Sequence, residues 1–253
     1  MKPHRPSEGF SLLELLVVIS ILAVLAGLLL PALNISRQAT NDAKCLASLH
    51  QLGVAMALYE GDHKQGFVRY RQVTDAGTVW YFGLETTDWT AGEGDRTLDE
   101  TQGPLYPYTN SVGGIVICPA FDYGSALWKP KFEGASWGYG YNYNLGGGAS
   151  GALPVKHVTD LQNPSQVVVF GDCAQVNTFQ PPASPSNPMV EEFYIIDQFS
   201  TTIHFRHTGV RANFLFADGH AASLPMYPGT LDSHLPSANI GRITPMGSMK
   251  YLQ

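Results

Sequence analysis

The stretch FSLLELLVVISILAVLAGLLLPAL, residues 10–33, decides the fold. Its 24 residues carry one charge, Glu14. As an α-helix, at about 1.5 Å per residue, it reaches about 36 Å and exceeds the roughly 30 Å hydrocarbon core of a bilayer. The nine residues before it, MKPHRPSEG, are polar and include Lys2 and Arg5. That basic flank keeps the start of the chain cytoplasmic and sends the rest outside. A secretory signal cut after Val24-Leu25-Ala26 accounts for the basic start and the small residue. It accounts neither for Glu14 nor for the apolar run resuming at Leu28-Leu29-Leu30. A plain anchor leaves Glu14 as an accident, although a carboxylate in the membrane costs ~3 kcal/mol or more and by default has a function.

Beyond Pro31 the pattern becomes amphipathic. Ile35, Ala39, Leu46, Leu49, Gly53 and Met56 step along one helical face. One helix from about Phe10 to Tyr59 is expected, loosened or kinked at Pro31, ended by Gly61-Asp62, and packed by this stripe on the chain's own sheet. The remainder is globular. The 253 residues are 14% charged with 26 Gly and 17 Pro, which excludes a disordered chain, a coiled-coil rod and a collagen. The net charge of −6 argues against neutralising many phosphates, so no nucleic-acid partner is expected. Three cysteines without a C-x-x-C are too few for a disulfide scaffold and lack the spacing of a structural zinc motif.

Residues 61–150 are rich in Gly, Tyr and Trp. Trp80, Trp89, Trp128 and Trp137 are expected to fill a β core rather than form a sugar platform. Trp137-Gly-Tyr-Gly-Tyr-Asn-Tyr-Asn reads as a strand. Gly146-Gly147-Gly148 lacks the Lys and Ser/Thr of a phosphate loop. Glu93-Gly-Asp95 and Asp99-Glu100 lack calcium-loop spacing, so no cofactor is expected and calcium is left open without a motif. Val167–Phe170 reads as a buried strand and Pro181–Pro185 as a surface loop. Thr201–Arg206, Ala212–Ala217 and His220–Leu224 read as a three-stranded meander, with Asp218-Gly219 a two-residue turn whose central residues both need positive φ. The proline-rich tail, 225–253, reads as irregular surface chain.

His204, His207, His220, Asp172 and Asp218 invite a metal or hydrolase reading. With His207 opposite Ala212, Asp218 lies about 20 Å further along the strand, and His204 and His207 face opposite sides. No metal site is therefore expected. His207 closes a loop, Asp218-Gly219 makes a turn, and Phe214 and Phe216 pack. Nucleophile-elbow and zincin motifs do not occur, and no enzymatic activity is expected.

Gly9-Phe10-Ser11-Leu12-Leu13-Glu14 before a long apolar helix resembles the class III signal of type IV pilins and type II secretion pseudopilins. Gly9 stands at −1, Phe10 at +1, Glu14 at +5 and Pro31 at +22; Glu8 departs from the commoner basic or neutral residue. The resemblance implies a prepilin peptidase that cuts after Gly9 and N-methylates Phe10. It also implies that Glu14 pairs with the freed amine of Phe10 on a neighbouring subunit.

Further segments resemble prepilin-like proteins with an H-X9-DG motif. These are Cys45-Leu-Ala-Ser-Leu-His-Gln-Leu-Gly53, Cys118-Pro119, Tyr139–Asn142, Pro164-Ser165 to Asp172, and His207…Asn213…Asp218-Gly219-His220. Ten residues rather than nine separate His207 from Asp218, read as an insertion in the Thr208–Arg211 loop.

The implied fold is α+β and pilin-like: leader 1–9, transmembrane and assembly helix 10–33, amphipathic continuation 34–60, and an extracytoplasmic β-rich head 61–253. The implied role is a subunit of a type II secretion pseudopilus or type IV pilus-like filament, a single-pass protein of the bacterial inner membrane extracted after processing. Its partners would be the peptidase, other pilin or pseudopilin subunits and the membrane. The alternative is a membrane-tethered hydrolase or carbohydrate-binding protein that uses the signal for delivery. If a disulfide forms, the subfamily positions favour Cys45–Cys118 over any pair with Cys173; three inert buried thiols are the competing expectation.

Overall fold

The computed structural model describes residues 11–86, 94–111, 117–133, 137–148 and 150–253. The chain divides into two compact units, residues 1–40 and 41–253. Helix α1, Leu12–Asp62, begins in the first and ends in the second. A capping box starts it: Glu14 N donates to Ser11 Oγ at 3.2 Å, and Ser11 N donates to Glu14 Oε2 at 2.9 Å. Helical structure continues unbroken across Pro31. From Leu12 to Leu33 the apolar side chains are exposed. Among the described residues α1 is the one helix long and apolar enough to cross a membrane.

In the second unit, the last turns of α1 bury Cys45, Ser48, Leu49, Leu52, Ala55 and Met56. These spacings of 3, 4 and 7 make one face. The expected stripe is corrected in detail: Leu49 and Met56 lie at its centre, Leu46 at its flank, and Ile35 and Ala39 are exposed in the first unit. Gly53 allows close approach to the sheet, since a Cβ there would stand 2.9 Å from Leu215 Cδ1.

Strands follow in the order β1 (Arg71–Thr74), β2 (Gly77–Trp80), β3 (Gly83–Glu85) and β4 (Leu98–Asp99), then the short helix α2 (Tyr106–Ser111). After it come β5 (Tyr139–Asn142), β6 (Val168–Asp172), β7 (Gln175–Asn177), β8 (Met189–Glu191), β9 (Ile195–Ile196), β10 (Ile203–His204), β11 (Arg211–Phe216), β12 (Ala221–Pro225) and β13 (Ile240–Gly241). The main sheet has the order β12-β11-β6-β5-β9 and is antiparallel except for the β5–β9 pair. β1 to β4 form a second, antiparallel sheet. The architecture is α+β.

Aromatic residues fill the core between these elements. Tyr70, Trp80, Tyr81, Phe82, Tyr139, Tyr141 and Phe170 are all buried. Two of the phenols bond to main chain, with Tyr81 Oη donating to Tyr139 O at 2.9 Å and Tyr141 Oη to Val68 O at 2.8 Å. Trp80 is buried and Trp137, half-buried, stacks on Phe82. Trp128 is half-buried against Phe121 and Tyr123, and Trp89 lies outside the described residues.

Three local expectations are corrected. The meander has two strands, not three. β11 and β12 pair, whereas β10 is short and pairs with β13 from the tail. The tail is accordingly built into the head: Ile240 and Leu252 are buried and Val168 N donates to Tyr251 O at 2.8 Å. The Asp218-Gly219 turn is a three-residue loop. Gly219 N donates to Phe216 O, Phe216 N donates to His220 O, and of the pair only Gly219 has positive φ, +89°. A type I turn closed by a left-handed Gly uses the same dipeptide as the tighter turn, with one residue more.

Gly146 explains the triple-glycine loop. Its carbonyl accepts from Tyr70 N at 2.8 Å, and a Cβ would lie 2.6 Å from that nitrogen and 2.7 Å from Val68 O. Main chain cannot swing aside as a side chain can. Gly146→Ala is expected to cost about 1–3 kcal/mol, measured as a lower urea midpoint for the full chain in detergent.

Candidate functional site

Two features carry functional content, one in each unit. In the first unit, Glu14 is an exposed carboxylate on an otherwise apolar exposed helix, and its cap to Ser11 fixes it in the first turn. The S-x-x-E spacing was readable in the sequence as a capping box, a role not assigned to Glu14 above. Pro31 lies inside the same helix. Gly9 and Phe10, the expected cleavage and methylation positions, lie outside the described residues.

In the second unit, four segments converge on a buried polar cluster. α1 supplies Cys45, the segment after α2 supplies Cys118, the end of β6 supplies Asp172, and the loop before β11 supplies His207. One ligand-type atom from each lies within 4.8 Å of every other, and all four residues are buried. Cys45 Sγ stands 3.3 Å from Asp172 Oδ1, Cys118 Sγ 3.5 Å from His207 Nε2, and His207 Nε2 2.9 Å from Asp172 Oδ2. An outer ring holds them. Arg206 Nη2 donates to Asp172 Oδ1 at 2.6 Å, Asn213 N to Asp172 Oδ2 at 2.7 Å, and Tyr139 Oη to Cys45 Sγ at 3.6 Å. His207 Nδ1 is 2.5 Å from Asp42 Oδ1, so an α1 carboxylate orients the ring.

Charge sets the protonation of this cluster. Burial alone would raise the Asp172 pKa, but the Arg206 guanidinium and His207 hold it at about 2. Burial alone would lower the His207 pKa; the hydrogen bonds to Asp172 and Cys118 raise it to about 10. The hydrogen bond from Cys45, with Arg206 and His207 nearby, draws the Cys118 thiol down to about 5, while burial drives Cys45 up. Arg206 Nη1 also donates to His204 Nδ1 at 3.1 Å, and burial with that charge lowers the His204 pKa to about 3.

The fates of the expected residues differ. His207 does close a loop, but against Arg211 rather than Ala212, with Val210 in positive φ. Asn213 donates its backbone N–H to Asp172, and its side-chain Oδ1 accepts from Ser223 Oγ. Asp218 accepts from His220 N at 3.2 Å, and His220 stacks flat on Phe216. Cys45 and Cys118 are brought together as free thiols, and the free Cys173 packs instead with Ile196 and Ile203. Setting aside a metal reading rested on Asp218 and His204; Asp172 and His207 do meet, with two cysteines as neighbours. The parts that sequence reasoning missed are Asp42 and Arg206.

Residues 4–30 match a family model described as the prokaryotic N-terminal methylation motif. The chain carries a prepilin-type signal. Over 59 residues it is also 39% identical to the type IV wide pilus major component PilA4 of Thermus thermophilus, a match covering 23% of this chain and 45% of that protein. The match therefore spans under half the length of that pilin. No solved structure matches. The chain thus combines a prepilin-type signal, a stretch similar to a type IV pilin, and an exposed apolar helix followed by an α+β head.

Proposed function

We propose that this chain is a structural subunit of a type IV pilus-like or type II secretion pseudopilus filament, made as an inner-membrane precursor with its head outside the cytoplasm. The observation that carries this reading is the methylation motif, matched over residues 4–30, running into a helix whose apolar side chains are exposed from Leu12 to Leu33. Such a surface is stable in lipid, and in a filament it is covered by the same segment of other subunits. Assembly then needs no bond chemistry from the head.

Processing supplies the test. Mass spectrometry of the mature protein is expected to find N-methyl-Phe10 as its first residue. A bulky replacement such as Gly9→Leu is expected to leave the full precursor in the membrane and give no filaments. A mature terminus at Gly27 would instead identify a secretory signal and remove the assembly helix from the mature protein.

A further inference from the structure

We propose that Cys45, Cys118, Asp172 and His207 form a structural site for a thiophilic divalent cation, Zn2+ by their donor chemistry. Two sulfurs, one imidazole nitrogen and one carboxylate oxygen suit tetrahedral zinc, whereas calcium and magnesium require oxygen ligands. A zinc tetrahedron with these donors has edges of roughly 3.3–3.8 Å. The separations Cys45 Sγ–Asp172 Oδ1 and Cys118 Sγ–His207 Nε2, 3.3 and 3.5 Å, fall in that range; His207 Nε2–Asp172 Oδ2, on the other carboxylate oxygen, has to open from 2.9 Å, and one ligand atom from each residue lies within 4.8 Å of the others.

The surroundings are those of a metal ligand set. The carboxylate of Asp42 at His207 Nδ1 leaves Nε2 to face the cluster, the arrangement that fixes a ligating imidazole. Asp172 keeps two hydrogen bonds that a metal would not disturb, from Arg206 Nη2 and Asn213 N. Its other two neighbours, Cys45 Sγ and His207 Nε2, are themselves ligands. Binding therefore replaces the contacts among these four side chains by four metal bonds. Zinc with two thiolates, one carboxylate and a neutral imidazole has one net negative charge, which the buried Arg206 guanidinium offsets. The ion would fasten the lower turns of α1 to β6 and to the loops that carry Cys118 and His207. This inference concerns the head alone and stands whether or not the chain polymerises.

The test uses the full chain in detergent, isolated without added reductant. Elemental analysis is expected to find zinc equimolar with protein. After chelator stripping, Co2+ is expected to give a thiolate-to-cobalt charge-transfer band with tetrahedral d–d bands. Cys118→Ser should weaken that band and His207→Ala should shift the d–d bands. At free Zn2+ about 1,000-fold above Kd, the melting temperature should rise by roughly 8–16 °C. Because a variant could fail simply by misfolding, each is scored by circular dichroism before metal is added, and Cys173→Ser serves as the control that retains full binding. Three results would overturn the site: a Cys45–Cys118 disulfide in the isolated protein, no uptake of Zn2+ or Co2+ by the reduced protein, or uptake unchanged in the folded Cys118→Ser and His207→Ala variants.

Discussion

Glu14→Gln is expected to leave α1 capped and inserted while removing nearly all filament. The amide can still accept the Ser11 N–H that closes the capping box, so the helix start is preserved. Only the charge is lost. In the proposed filament that charge pairs with the freed amine of Phe10 on a neighbour, within surroundings of exposed leucine and valine side chains. Breaking a pair that has been removed from water leaves the partner ammonium uncompensated, at about 3–5 kcal/mol per contact, or more than a hundredfold in each addition step. Membrane fractionation should show insertion equal to or better than wild type, and sheared-filament yield should fall at least tenfold. Ser11→Ala provides the converse. It removes the side-chain cap, at about 1 kcal/mol, but keeps the carboxylate, so filaments should persist. Normal yield from Glu14→Gln together with loss in Ser11→Ala would mean that Glu14 serves the helix cap and not the neighbour.

What was legible in the sequence was what short-range pattern controls. Leu12–Leu33 reads as one apolar helix because hydropathy is summed over neighbours, and Val168–Phe170 and Ala212–Phe216 read as buried strands for the same reason. Errors arise where a partner lies far along the chain. Ile203–His204 has no local feature that selects Ile240–Gly241, yet those residues offer it a matching edge. The same Asp-Gly dipeptide suits two loop lengths, and only the pairing of Phe216 with His220 distinguishes them.

The buried cluster failed to emerge for a related reason. Cys45, Cys118, Asp172 and His207 had each been singled out, but for separate reasons and in separate segments. Cys45 and Asp172 are 127 positions apart. They meet because the α1 face carrying Cys45, Leu49 and Leu52 packs over a sheet whose central strand ends at Asp172. That placement is a product of the whole core. Arg206 was invisible as a participant because a buried arginine is recognised only by what it neutralises.

A second large effect is expected at Glu191, on β8. Its carboxylate is fully buried and takes Lys129 Nζ at 2.7 Å on one oxygen and Lys131 Nζ at 3.0 Å on the other. Asn177 Nδ2 donates at 3.0 Å, and Gln175 Nε2 donates as well. Both lysines are buried, so Glu191→Ala removes the carboxylate that two buried ammonium groups share and is expected to cost about 3–5 kcal/mol, read from the urea midpoint of the full chain. Adding Lys131→Met should return part of that loss, because the second substitution removes one of the two charges that Glu191 neutralises; strictly additive effects would show that the groups are not coupled. Acid gives an independent check. Burial would raise the Glu191 pKa, but the Lys131 charge and the Lys129 hydrogen bond overcome it and hold it at about 2, below the ordinary 4.5. A depressed folded pKa means stability that is complete above the unfolded value and lost as the carboxylate protonates. The gap between wild type and Glu191→Ala should therefore be widest above pH 4.5 and shrink as pH falls toward 2. A gap that does not change over that range would assign the loss to packing and not to charge.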